Sequence, residues 1–113
     1  MRGIRIKGKI NIPAKNINLS RFSFDDNHIN NERNHNVTRE EALSFIKNAK
    51  LSISKWNGKF ENYYSFDGAT YVDIENKNIR TAFKQEEFKE DVEKMIEVLK
   101  NMNDINCPNH SND

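Results

Sequence analysis

Residues 51–83 read LSISKWNGKFENYYSFDGATYVDIENKNIRTAF, and the punctuation of this stretch decides the fold. Asn57-Gly58 sits between two runs of β-forming residues. Both positions of such a hairpin turn take positive φ, which asparagine and glycine tolerate best. Leu51 to Trp56 therefore predicts one strand and Phe60 to Phe66 its antiparallel return. Asp67-Gly68 makes a second tight turn into Ala69 to Ile74, with Thr70, Val72 and Ile74 on one face and Tyr71 on the other. Glu75 to Asn78 turns the chain again into Ile79 to Phe83. The result is a four-stranded antiparallel meander.

A helix precedes it. Thr38 is a good N-cap and Glu41, three residues on, completes a capping box. Ala42, Phe45, Ile46 and Ala49 then fall at i, i+3, i+4 and i+7, one apolar stripe from about Arg39 to Ala49. A second amphipathic helix is expected from about Gln85 to Met102, with Phe88, Val92, Met95, Ile96 and Leu99 on one face. Glu86 and Glu87 suit the dipole of its first turn. At the N-terminus, Ile4, Ile6, Ile10 and Ile12 alternate with Arg5, Lys7, Lys9 and Asn11, which reads as a half-buried or edge strand ended by Pro13. Residues 14–36 lack periodicity and read as a long ordered loop pinned by Leu19, Phe22, Phe24 and Ile29. The fold class is α+β, one domain over residues 1–102, with residues 103–113 a disordered polar tail.

A chain of 113 residues that is 35% hydrophobic and 31% charged can build one modest core. No segment approaches the roughly 18 apolar residues of a membrane span. The N-terminus lacks the apolar core of a secretory signal. Cys107 is the only cysteine, so no internal disulfide can form. The location expected is the cytoplasm, or delivery within a larger particle. The net charge of +1 conceals an imbalance: residues 1–24 carry six basic groups and no acidic one, while residues 25–113 carry a net −5. A basic arm suits a polyanion partner; a solvated strand face would look the same.

Residues 24–35, FDDNHINNERNH, gather His28, Arg33 and His35 just ahead of the first helix. Imidazoles take and give protons near neutral pH, as a general acid–base step requires, but they also serve as ordinary polar loop residues. With Asp25 or Asp26 the two histidines match no standard metal spacing, nor does Cys107-Pro-Asn-His110 form a convincing site, so no metal or cofactor is expected. Arg80 on an exposed strand face can hold a phosphate, and Thr81 can bond an oxyanion. Consecutive strand residues point to opposite faces unless a bulge re-aims one of them. Trp56, Phe60, Tyr63, Tyr64, Phe66 and Tyr71 could stack bases, although most such rings fill cores. Tyr63 and Tyr64 face opposite ways, so at most one serves a site.

The stretch FDDNHINNERNHNVTREEALSFIKNAKLSISKWNGKFENYYSFDGATYVDIENKNIRTAF resembles phage-linked members of the barnase, EndoU, colicin and RelE-like ribonuclease superfamily. The likeness covers about residues 24–100. Its elements are His35 before Thr38-Arg-Glu-Glu41, the aromatic meander from Trp56 to Tyr71, and Thr81-Ala82-Phe83. The resemblance implies metal-independent RNA cleavage through the ribose 2′-hydroxyl, on the open face of a sheet packed by a helix. It implies His35 as the leading general acid or base, His28 as the second, and Arg33 and Arg80 as phosphate ligands. Thr81 would position a phosphate oxygen, and Tyr64 is a substrate contact. RNA is the expected partner, with an immunity protein or a phage structural protein as further ones. The alternative is a non-catalytic phage or mobile-element accessory protein that binds nucleic acid or a capsid partner. Transfer chemistry on a nucleotide cofactor such as NAD lacks a suitably placed acidic residue.

Overall fold

The Thr38 cap forms as its sequence dictates. In the computed structural model, which describes residues 8–105, the Thr38 hydroxyl accepts from the Glu41 amide at 3.1 Å and the Glu41 carboxylate accepts from the Thr38 amide at 2.9 Å. Helix α1 (Arg39–Lys47) follows and buries Ala42 and Phe45. The four-strand meander is present as β3 (Leu51–Lys55), β4 (Phe60–Tyr64), β5 (Gly68–Asp73) and β6 (Asn78–Lys84). Asn57 and Gly58 take the positive φ values the turn requires, 57° and 86°. Among the described residues no helix is long and apolar enough to cross a membrane.

The sheet nevertheless has six strands, in the order β1-β3-β4-β5-β6-β2, and not the meander alone. Strand β1 (Lys9–Asn11) runs antiparallel to β3. Strand β2 (Ser23–Phe24) lies within the stretch expected to be loop and pairs parallel to β6, Ser23 opposite Asn78 and Phe24 opposite Ile79. The same stretch holds a π-helix, Asn27–Glu32. Two residues are too few to show alternation, and i→i+5 bonding leaves no 3.6-residue stripe, so neither element has a sequence signature.

The face of β1 is inverted relative to the alternation. Ile10 and Ile12 are 47% and 59% exposed, whereas Asn11 turns inward. Its carboxamide donates to Ser54 Oγ and to Glu61 Oε2, both at 2.9 Å. Glu61 is fully buried, and Ser52 and Ser54 each donate to it at 2.6 Å. A buried carboxylate needs its oxygens satisfied, and this demand overrides the burial of two isoleucines at an edge. Residues 1–7, which include Ile4 and Ile6, lie outside the described residues.

Each face of the sheet carries a core. On one, Tyr63, Val72, Ile79 and Ala82 pack with Phe22, Ile29 and Val37 of the N-terminal segment and with Ala42 and Phe45 of α1. Thr70, also on this face, donates to the Ala42 carbonyl at 2.7 Å. On the other, Leu51, Ile53, Tyr64 and Ala69 pack with Phe88 and with Met95 and Ile96 of α2 (Glu90–Ile105). The expected final helix is thus divided. Gln85–Glu87 form a 3₁₀ turn, Phe88 is extended, and the acidic first turn of α2 is Glu90, Asp91 and Glu93. Helix α2 also takes up residues 103–105 of the expected tail, and residues 106–113 lie outside the described residues.

Gly68, at the second turn, has no room for a side chain. A Cβ there would lie 2.5 Å from the Phe45 ring and 2.7 Å from the Phe83 carbonyl oxygen. Gly68→Ala is expected to destabilise the domain by about 1–3 kcal/mol through overpacking, read from urea midpoints.

Burial, and then the Glu61 charge, raises the Tyr63 phenol, and burial followed by the neighbouring Tyr71 raises that of Tyr64. The folded state therefore holds these protons more tightly than the unfolded chain. The stability involved is fully present below the ordinary phenol pKa of about 10 and falls as pH rises above it. Urea midpoints measured from pH 8 to pH 11.5 should decline only over the upper part of the range, and Tyr64→Phe should flatten that decline.

Candidate active site

The π-helix begins the construction of the site. It buries Ile29 against β6 and leaves His28 half-exposed on its outer side. After Arg33 the chain must reverse within a few residues to reach α1. Asn34 and Asn36 both take positive φ, 56° and 57°, a region asparagine enters more readily than most residues. His35 stands between them, and its amide donates to the Ile29 carbonyl at 2.9 Å. The Asn30 carboxamide closes the reversal by donating to the Val37 carbonyl and accepting from the Val37 amide, each at 2.8 Å. The asparagine-rich run is therefore a scaffold for His35.

Across from this loop, strand register resolves how Arg80 and Thr81 can share one site. Thr81 pairs with Tyr71 and Ile79 with Val72, so Arg80 is the extra residue of a β-bulge. The bulge breaks strict alternation, and both side chains line the same cleft. The Arg80 guanidinium lies 4.8 Å from the centroid of the Phe60 ring, a cation–π contact that fixes its direction.

The cleft has a volume of about 430 Å³, and His28, Arg33, His35, Arg80 and Thr81 all line it. Five of the six residues singled out from the sequence thus converge. Tyr64 does not: it is 4% exposed in the core beneath α2, where most aromatic rings are needed. Its hydroxyl instead meets that of Tyr71 at 2.9 Å, and Tyr71 is the ring that lines the cleft. Burial raises the Tyr71 phenol, only partly offset by the Tyr64 hydrogen bond and the Arg80 charge. Tyr71 is therefore a neutral hydroxyl at ordinary pH. Tyr63 is buried on the opposite face. The face that carries the cleft is not fully open, because α2 covers part of it.

Two charged residues of the cleft have no counterpart among the expected site residues. Glu87, on the 3₁₀ turn, places Oε1 2.8 Å from Nδ1 of His35. His28 is braced in the same way, its Nδ1 3.0 Å from Glu32 Oε1. A carboxylate at Nδ1 sets the neutral tautomer with its proton on that nitrogen and leaves Nε2 as a base. The His35 ring also packs on Phe83, with centroids 5.6 Å apart. Lys89 is the other addition. In the sequence both look like ordinary charges of a helical first turn, and no signal there sets them apart.

The cleft thus holds three permanent cations, Arg33, Arg80 and Lys89, against one lining carboxylate, Glu87. None of the three cations forms an ion pair with a described residue. Asp25 and Asp26 are engaged locally, accepting from the His28 amide at 3.3 Å and the Asn30 carboxamide at 2.7 Å. Among the described residues no three His, Cys, Asp or Glu side chains gather as a metal site. What the cleft offers is an anion site with two oriented imidazoles and a hydroxyl at its wall. No family model, curated protein or solved structure matches this chain.

Proposed function

We propose that the domain is an endoribonuclease of the barnase and EndoU-like kind, cleaving RNA by attack of a ribose 2′-hydroxyl on the adjacent phosphorus. The observation that carries this reading is the convergence of two carboxylate-braced imidazoles with unpaired Arg33 and Arg80 in one cleft. The cleft volume of about 430 Å³ lies in the range of small-ligand sites, which suits a nucleotide of a single strand.

In this mechanism His35 Nε2 takes the proton from the 2′-hydroxyl, and the freed oxygen bonds to phosphorus. The bond from phosphorus to the 5′ oxygen breaks, and protonated His28 supplies that oxygen with its proton. The products are a 2′,3′-cyclic phosphate and a 5′-hydroxyl. His35 is assigned the base role because it is the more enclosed ring, 16% exposed against 36% for His28, and the leaving strand departs towards solvent. Arg33 and Arg80 hold the phosphate, and the Thr81 hydroxyl donates to a nonbridging oxygen as charge builds on it. Glu87 keeps the His35 ring in its working orientation. Every proton transfer is supplied by side chains, so cleavage proceeds in EDTA.

Single-stranded RNA incubated with the protein in EDTA should give cyclic-phosphate ends. The pH profile of kcat/KM should be bell-shaped, because one imidazole works neutral and the other protonated. His35→Ala is expected to lower kcat/KM by about 10²–10⁴-fold, and Arg80→Ala by about 10²–10³-fold. Glu87→Gln should cost less than loss of the imidazole. RNA left intact by well-folded protein across that pH range overturns the reading. Salt-dependent RNA binding without product would favour the non-catalytic accessory protein.

The division of labour has its own check. A substrate whose 5′ leaving group is p-nitrophenolate needs no acid. His28→Ala should cleave it nearly as fast as the unaltered protein, while His35→Ala should not. The reverse pattern would exchange the two roles.

A further inference from the structure

A second concavity, about 870 Å³, lies between β1 and the β3–β4 turn. It is separate from the catalytic cleft, with no lining residue in common. Its walls carry Lys9, Asn11, Lys15, Trp56 and Asn57. Trp56 is the only tryptophan of the chain and is 74% exposed. It stands at the hairpin tip with φ of 53°, a conformation a bulky residue rarely adopts.

The cations here are placed by their backbone. Lys9 pairs opposite Ser54 on β1. The Lys15 amide donates to Ser52 Oγ at 2.9 Å, and its carbonyl accepts from Tyr63 Oη at 2.7 Å. Neither lysine forms an ion pair with a described carboxylate. Glu61, the one buried carboxylate among the described residues, is engaged at both oxygens by Ser52, Ser54 and Asn11.

We propose that this concavity is a binding site for single-stranded nucleic acid, in which a base stacks on Trp56 and the flanking phosphates meet Lys9 and Lys15. An exposed indole beside two unpaired ammonium groups is the combination that holds a strand without reading its sequence. Asn57 adds an amide group suited to a sugar or a base edge. A duplex, whose bases are already stacked on one another, cannot make the indole contact. The site does not depend on the cleavage chemistry, since stacking and phosphate contacts need no 2′-hydroxyl.

The test uses an eight-nucleotide single-stranded DNA, which lacks the nucleophile for transesterification. Its addition should quench the fluorescence of Trp56, and His35→Ala should leave the quench unchanged. Trp56→Asn, chosen because asparagine accepts positive φ, should weaken binding of a dye-labelled strand about tenfold, and Trp56→Phe should restore much of it. The pair Lys9→Ala and Lys15→Ala should reduce the slope of log K against log salt by about 1.4, the value for two phosphates of a single strand. Absence of quenching, equal affinity for the duplex, or a Trp56→Asn protein that binds as well as the original would each overturn the site. Cleavage of a dinucleotide, which fills the catalytic cleft alone, would persist in all three cases.

Discussion

The Asn30 carboxamide behaves as a short piece of β-strand. It donates to the carbonyl and accepts from the amide of one residue, Val37, at 2.8 Å in both directions. Val37 is itself buried against the core, and Ile29, next to Asn30, is fully buried. The two ends of the loop are thereby fixed to the hydrophobic interior, and the residues between them have few remaining degrees of freedom. His35 acquires its position from that clasp and from the two left-handed asparagines beside it. Each such hydrogen bond contributes only about 1 kcal/mol net to stability, yet together they convert a polar loop into a rigid presenter of one imidazole.

The opposite wall is positioned by a different device. A regular β6 would send Arg80 and Thr81 to opposite faces, one towards the core under α1 and the N-terminal segment and one towards the face that carries α2. The extra residue between Ile79 and Thr81 turns both towards the loop, and the Phe60 ring of β4 supports the guanidinium from the same face of the sheet. The third wall, Glu87 with Lys89, exists because the chain interrupts its helix at Phe88, whose ring fills the aromatic cluster with Tyr64 and Phe83. Loop, bulge and helix interruption are three departures from regular structure, and all three border one cleft.

The regular parts were legible because their signals are local. The Thr38-x-x-Glu41 box, the apolar stripe of α1 and the Asn57-Gly58 and Asp67-Gly68 turns each act within a few residues, and each formed. The elements that escaped detection depend on partners far along the chain: β2 exists only because β6 offers an unpaired edge, and the inward turn of Asn11 answers Glu61. His28, Arg33, His35, Arg80 and Thr81 were legible as residue types, but their meeting was not, because it rests on the bulge and on the Asn30 clasp. Tyr64 was misjudged for a related reason. Alternation only sets Tyr63 and Tyr64 on opposite faces; Tyr64 lies on the face that carries the cleft, but Phe88 and α2 cover that part of it.

The parallel pairing of β2 with β6 has a consequence for the order in which the molecule becomes complete. The Ser23 and Asp25 amides donate to the carbonyls of Lys77 and Ile79, and Glu87 lies further on still. A polypeptide emerging from a ribosome carries His28 and His35 long before it carries the strand that anchors them or the carboxylate that orients His35. The early segments cannot assemble by themselves, since non-local pairings close last. A ribonuclease of the kind proposed would therefore be inert while it is being made, because the ribosome that makes it would meet only a chain whose cleft is incomplete.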